Sequence, residues 1–152
     1  MKSASVDRPL QPPKKQAAVF EHVRRAHQME ATEDYVELID DLIALEGEAR
    51  LVDIARHLGV SQPTASKTLA RLQRDGYINS QPYRSIFLTP KGKKLAVASR
   101  KRHDIVFNFL IAMGVSEATA KRDSEGLEHH VSAETLDAFR DFIESRNHTG
   151  AV

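Results

Sequence analysis

Glu125, Glu128 and His129, in the segment DSEGLEHHVS, are spaced at i, i+3 and i+4. On a helix that spacing places all three on one face, where three ligating groups point the same way. Asp34 and Glu37, in EDYVE, repeat the i, i+3 relation near the other end of the chain, and His103 follows the basic run in RKRHDIV. Four carboxylates and two imidazoles would form a hard oxygen- and nitrogen-rich cage of the kind that suits Mn2+ or Fe2+. The chain has no cysteine, which argues against copper(I) and soft zinc sites and excludes a thiol nucleophile. Spacing alone leaves a solvated acidic face open as an equal reading. Hydrolysis with Glu128 and His129 as a base pair lacks a nucleophile or phosphate loop beside it, so no enzyme is expected. His130 lies about 100° around the helix from His129 and reads as a supporting neighbour at most. His22, His27, His57 and His148 read as surface or packing histidines.

A different chemistry occupies the middle of the chain. The net charge is +1, but residues 61–102 hold ten basic side chains and one acidic, Asp75. The flanks are acidic: residues 1–60 carry 8 basic and 11 acidic groups, and residues 103–152 carry 4 and 9. A basic block of this kind suits a polyanion partner. Within it, VDIARHLGVSQPTASKTL has helix-turn-helix spacing. Ala55 is small where two helices cross, Gly59 fits a turn that needs a left-handed residue, and Val60 is expected to plug between the helices. Ser61 caps the second helix and Pro63 costs it no hydrogen bond. With Ala65, Leu69 and Leu72 turned inward, the opposite face shows Gln62, Pro63, Ser66, Lys67, Ala70, Arg71 and Arg74. Such a face offers polar groups for base edges near the helix start and cations for phosphates farther along. Ser61, Gln62, Pro63, Thr64, Ser66, Lys67, Arg71, Arg74 and the hairpin residue Arg84 are therefore the expected DNA contacts.

The elements that must position these groups follow from periodicity and punctuation. Residues 1–18 read as a flexible tail, and residues 148–152 as another. A short helical pattern runs from Val19 to Gln28, and a stronger one follows from Tyr35 to Leu45, with Thr32 and Glu33–Asp34 marking its start. Helices are expected at about 51–57 and 62–75, then two short strands around a turn near Gln81–Ser85. A long helix runs from about 91 to Met113, and helices at about 116–130 and 133–147 finish the chain. The fold class is thus mainly α: a winged helix-turn-helix domain over 19–92, then an α-helical domain over 93–147, to which the family resemblance given next assigns metal binding and dimerisation. No run approaches the ~20 apolar residues of a membrane span. The N-terminus lacks the apolar core of a signal peptide, which makes a cytoplasmic location the expectation.

The order DYVE, VDIARHLGVSQPTASKTLARLQRDGYI, LTPKGKKLA, RH and DSEGLEHHVS resembles the diphtheria toxin repressor family, over about residues 20–145. Within that family it is similar to the manganese-responsive branch. Asp34 stands where iron-responsive relatives carry Met, Glu125 where they carry Cys, and the chain ends before the SH3-like third domain they append. The resemblance implies metal ligands at Asp34, Glu37, His103, Glu125, Glu128 and His129, holding two Mn2+ ions per subunit, with Fe2+ or other divalent ions as alternatives. It further implies a homodimer that represses manganese-uptake genes by binding a palindromic DNA operator once metal has locked its two domains together. The expected dimer surface is Ile105, Val106, Phe109, Leu110, Leu136 and Phe139, some of them serving as intrachain core instead. Metal affinity is expected to fall below pH about 6.5, where imidazole protonates. An iron- or zinc-responsive repressor of the same architecture, and a metal-free winged-helix regulator of a small organic ligand, are the competing readings; few aromatics and no Trp are present to line an organic-ligand pocket. No membrane partner or organic substrate is expected.

Overall fold

Short polar residues set where most of the helices start. In a computed structural model that describes residues 9–149, Ser61, Thr89, Ser116 and Ser132 each accept a hydrogen bond from the backbone N–H three residues on. The helices they open are α3 (Gln62–Arg74), α4 (Pro90–Ala112), α5 (Glu117–Leu127) and α6 (Ala133–Thr149). Before them lie α1 (Pro13–Glu46) and α2 (Leu51–Leu58), ended by Gly47 at φ 82° and Gly59 at φ 66°. Between α3 and α4, β1 (Ile78–Asn79) pairs antiparallel with β2 (Phe87–Leu88), Ile78 opposite Leu88, and an isolated bridge joins Ala49 to Ile86. Residues 1–8 of the expected N-terminal tail and 150–152 of the C-terminal one lie outside the described residues.

The two helices expected before residue 46 are one helix of 34 residues. Pro13 at its first turn starts it, and Thr32 is buried at 5% exposure within it rather than capping a new helix. The N-terminal stretch leaves Val19, Phe20 and Val23 exposed, while the C-terminal stretch turns Tyr35, Ile39 and Leu42 into the core. There they meet Ile54 and Ala55 of α2, Ala65, Leu69 and Leu72 of α3, and Ile78 and Ile86 of the wing. Fully burying each large apolar side chain of this set contributes about 1.5–3 kcal/mol. Val60 is not the expected plug: it is 36% exposed, because Ile54, Ala55, Ala65 and Leu69 already fill the crossing.

A second core joins α4 to α5 and α6. Val106 and Leu136 are buried inside the chain, and the Phe109 and Phe139 rings stack with centroids 3.8 Å apart. Val106 and Leu136 are thus the members of the expected set that serve as intrachain core; Ile105, Leu110, Phe109 and Phe139 are half-buried. Charge ties this unit to the winged helix. Lys93 Nζ lies 2.6 Å from Asp40 Oδ1, and Arg100 spans Asp40 at 3.2 Å and Asp41 at 2.6 Å. At the foot of the wing a Cβ on Gly92 would stand 2.0 Å from the Tyr77 carbonyl oxygen, so only glycine lets α4 start this close to the hairpin.

Candidate metal centre and nucleic-acid interface

Three elements bring the acidic clusters together. Asp34 and Glu37 come from the middle of α1, and His103 from α4. Glu125 is on α5, which stops at Leu127, earlier than expected. Glu128 is therefore the helix C-cap, and His129 and His130 lie in the turn before α6 rather than on a continuing helix face. That turn aims both imidazoles at α1. His129 Nε2 lies 2.9 Å from Asp34 Oδ1, and the group Glu30, Asp34 and His129 has ligand atoms within 4.8 Å of one another. The group His103, Glu125 and Glu128 meets the same limit, with His103 Nδ1 2.8 Å from Glu128 Oε2 and 3.7 Å from Glu125 Oε1. The two groups touch through His129 Nε2 and Glu128 Oε1, 3.3 Å apart.

Five of the six expected ligands thus fall into two adjoining sets; Glu37 lies beside them, close enough to feel the charges of Glu128 and His103, and accepts a hydrogen bond from Ser99 Oγ at 2.9 Å. Burial raises the Glu37 carboxyl pKa, countered in part by the Ser99 hydrogen bond and raised further by Glu128. Burial likewise raises Glu125. Glu128 and His129 are buried, and Glu128 Oε2 and His129 Nε2 have no hydrogen bond of acceptable geometry despite the close atoms around them. A buried polar atom left without a hydrogen-bond partner is costly. A divalent cation in each group would satisfy one of these atoms, and the carboxylate–imidazole donor sets fit a hard or borderline ion.

The surrounding side chains fix this geometry. Glu33, buried at 6% exposure, holds His129 Nδ1 at 2.6 Å, which turns Nε2 toward Asp34. Arg102 sits 3.9 Å from Glu33 and donates from Nε and Nη2 to the Glu128 carbonyl oxygen, pinning the turn after α5. Burial works to lower the His129 pKa, but the Asp34 and Glu33 carboxylates against its two ring nitrogens and the charge of Glu128 outweigh it and lift the value to about 10. The Glu128 carboxylate, 2.8 Å from His103 Nδ1, raises His103 as well, against its own desolvation. Without metal the His129 imidazole holds its proton well above pH 6.5 and His103 is shifted in the same direction, so the expected onset of proton competition moves upward.

Sequence reading missed Glu30, Glu33 and the arrangement of His27 and His130. With the helix start set at Thr32, the stripe Glu30, Asp34, Glu37 at i, i+4, i+7 was cut short. A single helix through residue 30 is the signal that would have exposed it. The Glu33–His129 contact spans 96 residues and leaves no local trace in the sequence.

The second site is the outer face of α3. Gln62, Pro63, Thr64, Ser66, Lys67, Ala70 and Arg74 are exposed, and Ser61 Oγ donates to Thr64 Oγ1 while capping the helix. Arg71 departs from expectation: it is half-buried, and its Nη2 is buried without a partner. Arg84 is exposed on the hairpin turn, whose N–H bonds to the Gln81 carbonyl oxygen at 3.1 Å. An open groove of about 680 Å³ runs between α3 and the hairpin, with Arg50, Gln62, Ser66, Gln73 and Arg84 along it. Polar groups at a helix N-terminus flanked by cations can read base edges and grip phosphates together.

A basic winged helix joined to a helical unit through a carboxylate–imidazole cage defines a metal-dependent DNA-binding transcriptional regulator. Residues 27–86 match the iron dependent repressor N-terminal DNA binding domain, and residues 89–149 match the iron dependent repressor metal binding and dimerisation domain. The chain belongs to the iron dependent repressor family. It is 59% identical over 125 residues to the transcriptional regulator MntR of Salmonella typhimurium, covering 82% of this chain and 80% of that one. It is 40% identical over 112 residues to the HTH-type transcriptional regulator MntR of Lysinibacillus sphaericus, covering 74% and 81%. Among solved structures it is similar to the manganese regulator SloR, with TM-score 0.67 and 25% identity over 74% of this chain and 53% of that one. It is also similar to a manganese-dependent transcriptional repressor in complex with manganese, with TM-score 0.64 and 26% identity over 74% and 52%. The chain spans about half the length of those two structures. Among the described residues no helix is long and apolar enough to cross a membrane.

Proposed function

We propose that this chain is a Mn2+-activated repressor, not an enzyme, that binds a palindromic double-stranded operator as a homodimer in the cytoplasm and holds two metal ions per subunit. The observation that carries the reading is the pair of adjoining ligand groups, centred on buried Glu128 and His129, with two buried polar atoms left unpaired. Asp34, His129 and Glu30 are ligands on one side, and His103, Glu125 and Glu128 on the other; Glu37 joins by leaving Ser99. When bound, a divalent cation supplies the positive charge that relieves repulsion among these carboxylates. Carboxylate-rich sites suit manganese, and the similar solved structures of a manganese regulator and of a manganese-dependent repressor in complex with manganese support the same ion.

The gating follows from what each residue is attached to. Lys93 and Arg100 clamp α4 to Asp40 and Asp41, and the metal cage adds a further tie between the α5–α6 turn and α1. Glu128 and His129 sit on that turn. Asp34 adjoins Tyr35 and lies about one and two helical turns before Ile39 and Leu42, all three of which pack beneath α2 and α3. Closing the cage therefore holds the recognition helix in one orientation relative to the helical unit, and a dimer reads two half-sites only when that separation is held. The winged helix occupies residues 19–92 and the helical unit 93–147, with the dimer surface on the half-buried Ile105, Phe109, Leu110 and Phe139 together with the exposed end of α4.

The test is DNA affinity by fluorescence anisotropy with chelator, Mn2+, anaerobic Fe2+ or Zn2+. Mn2+ should tighten binding by tens-fold or more over chelator. Equal affinities with chelator and Mn2+, within a few-fold, would discard metal as the co-repressor. Stronger activation by Fe2+ or Zn2+ at matched free-ion levels would move the assignment to the iron- or zinc-responsive reading.

A further inference from the structure

Outside the cage lies a third group of ligand-type side chains. His27 and Glu30 stand one turn apart on α1, and His130 reaches them from the turn after α5. Glu30 Oε2 is 3.4 Å from His27 Nδ1 and 3.5 Å from His130 Nε2, and the two rings meet edge to face with centroids 4.7 Å apart. These separations exceed the 2.7–3.2 Å of an ordinary N–H···O hydrogen bond. They equal the edge of a tetrahedron whose centre lies about 2.0–2.2 Å from each corner, the bond lengths of zinc to imidazole nitrogen and carboxylate oxygen. The trio is half-open: the His27 side chain is 63% exposed, Glu30 33% and His130 31%. That leaves a fourth position for water.

We propose that His27, Glu30 and His130 form a third metal site, adjoining the manganese cage and sharing Glu30 with it, that takes a borderline divalent cation of the Zn2+ and Co2+ class. Two imidazoles and one carboxylate favour such ions over Mn2+, whose sites are richer in oxygen. Glu30 also belongs to the group with Asp34 and His129, so the outer site shares a side chain with the cage. Filling it fastens the α5–α6 turn to α1 at a second place, one helical turn nearer the N-terminus. The chain thereby gives zinc-class ions a place of their own that manganese leaves vacant.

The absence of cysteine makes a direct test available. His27→Cys places a single thiolate on an exposed, non-cage position, and Co2+ titration of the full-length protein should then develop a thiolate-to-cobalt charge-transfer absorption saturating at one equivalent. Adding His130→Ala should abolish it. In parallel, equilibrium dialysis should count three Zn2+ per wild-type chain, two in His27→Ala, and two Mn2+ in both proteins. Equal Zn2+ counts in wild type and His27→Ala, or no charge-transfer band in His27→Cys, overturns the proposal. In a Glu128→Ala/His129→Ala background, one Zn2+ that still depends on His27 is expected, so the outer site is scored independently of the cage.

Discussion

His129 makes metal binding a proton exchange, and its size can be worked out. With its pKa lifted to about 10, the imidazole of the metal-free protein is almost fully protonated at pH 8. An ordinary histidine of pKa about 6.5 would be only about 3% protonated there. Because the metal takes the neutral ring, Mn2+ binding at pH 8 should release about one proton from His129, with His103, also raised, adding to it. Calorimetric titration of Mn2+ in buffers of different ionisation enthalpy gives the number as a slope. A release below about 0.3 proton at pH 8 would refute the reasoning, since it would mean that Asp34 and Glu33 do not hold His129 charged. The same shift sets stability. The folded pKa lies above the unfolded one, so the imidazolium contribution is complete below about pH 6.5 and is lost as pH rises through about 10. Urea midpoints of the chelated protein should fall across that window by a free energy of a few kcal/mol. Carboxylates lowered by ion pairing, Glu21, Glu48 and Glu117, titrate below the window, and Arg50 and Arg100 titrate above it. Apparent Mn2+ affinity should climb about tenfold per pH unit for each proton displaced within it.

Three further outcomes test other parts of the structure. Glu33→Gln keeps an acceptor beside His129 Nδ1 but removes its charge, and should weaken Mn2+ binding about 10- to 100-fold in a metal titration while the circular dichroism is unchanged. Gly92→Ala drives a methyl group into the Tyr77 carbonyl and should cost about 1–3 kcal/mol or more in urea unfolding. Arg84→Ala should weaken DNA binding evenly across sequences and lower the slope of log affinity against log salt by about one; a change confined to one operator position would instead make Arg84 a base reader.

The parts of this fold that were legible in the sequence are those whose signals are local. Ser61, Gly59 and Pro63 mark the helix-turn-helix because capping, a left-handed turn and a first-turn proline each act within a few residues. The same locality misplaced the start of α1. Thr32 followed by two acids looks like a cap, but a helix already begun at Pro13 runs through it, and its hydroxyl is buried by tertiary packing. Arg71 lies on the outward stripe by periodicity, yet its guanidinium folds partly into the protein, and no spacing rule reports where a long side chain ends. Ligand-type residues could be picked out by kind and spacing. Which of them meet, and that Glu33 aims His129, depends on α5 ending at Leu127 and turning back toward α1.

The unbroken α1 carries the outer histidine, the cage carboxylates and the core residues beneath α3 on one rod. Along a rod, angular phase is set by residue count: each residue adds about 100° of rotation and 1.5 Å of rise. Substitutions at its exposed positions leave that phase alone. One residue inserted or deleted between Glu37 and Ile39 would swing the cage about 100° away from the face that supports the reading head, with every ligand still present. The segment from His27 to Leu42 is thus under a constraint on length rather than composition, and an insertion ahead of His22 should pass without effect on metal response.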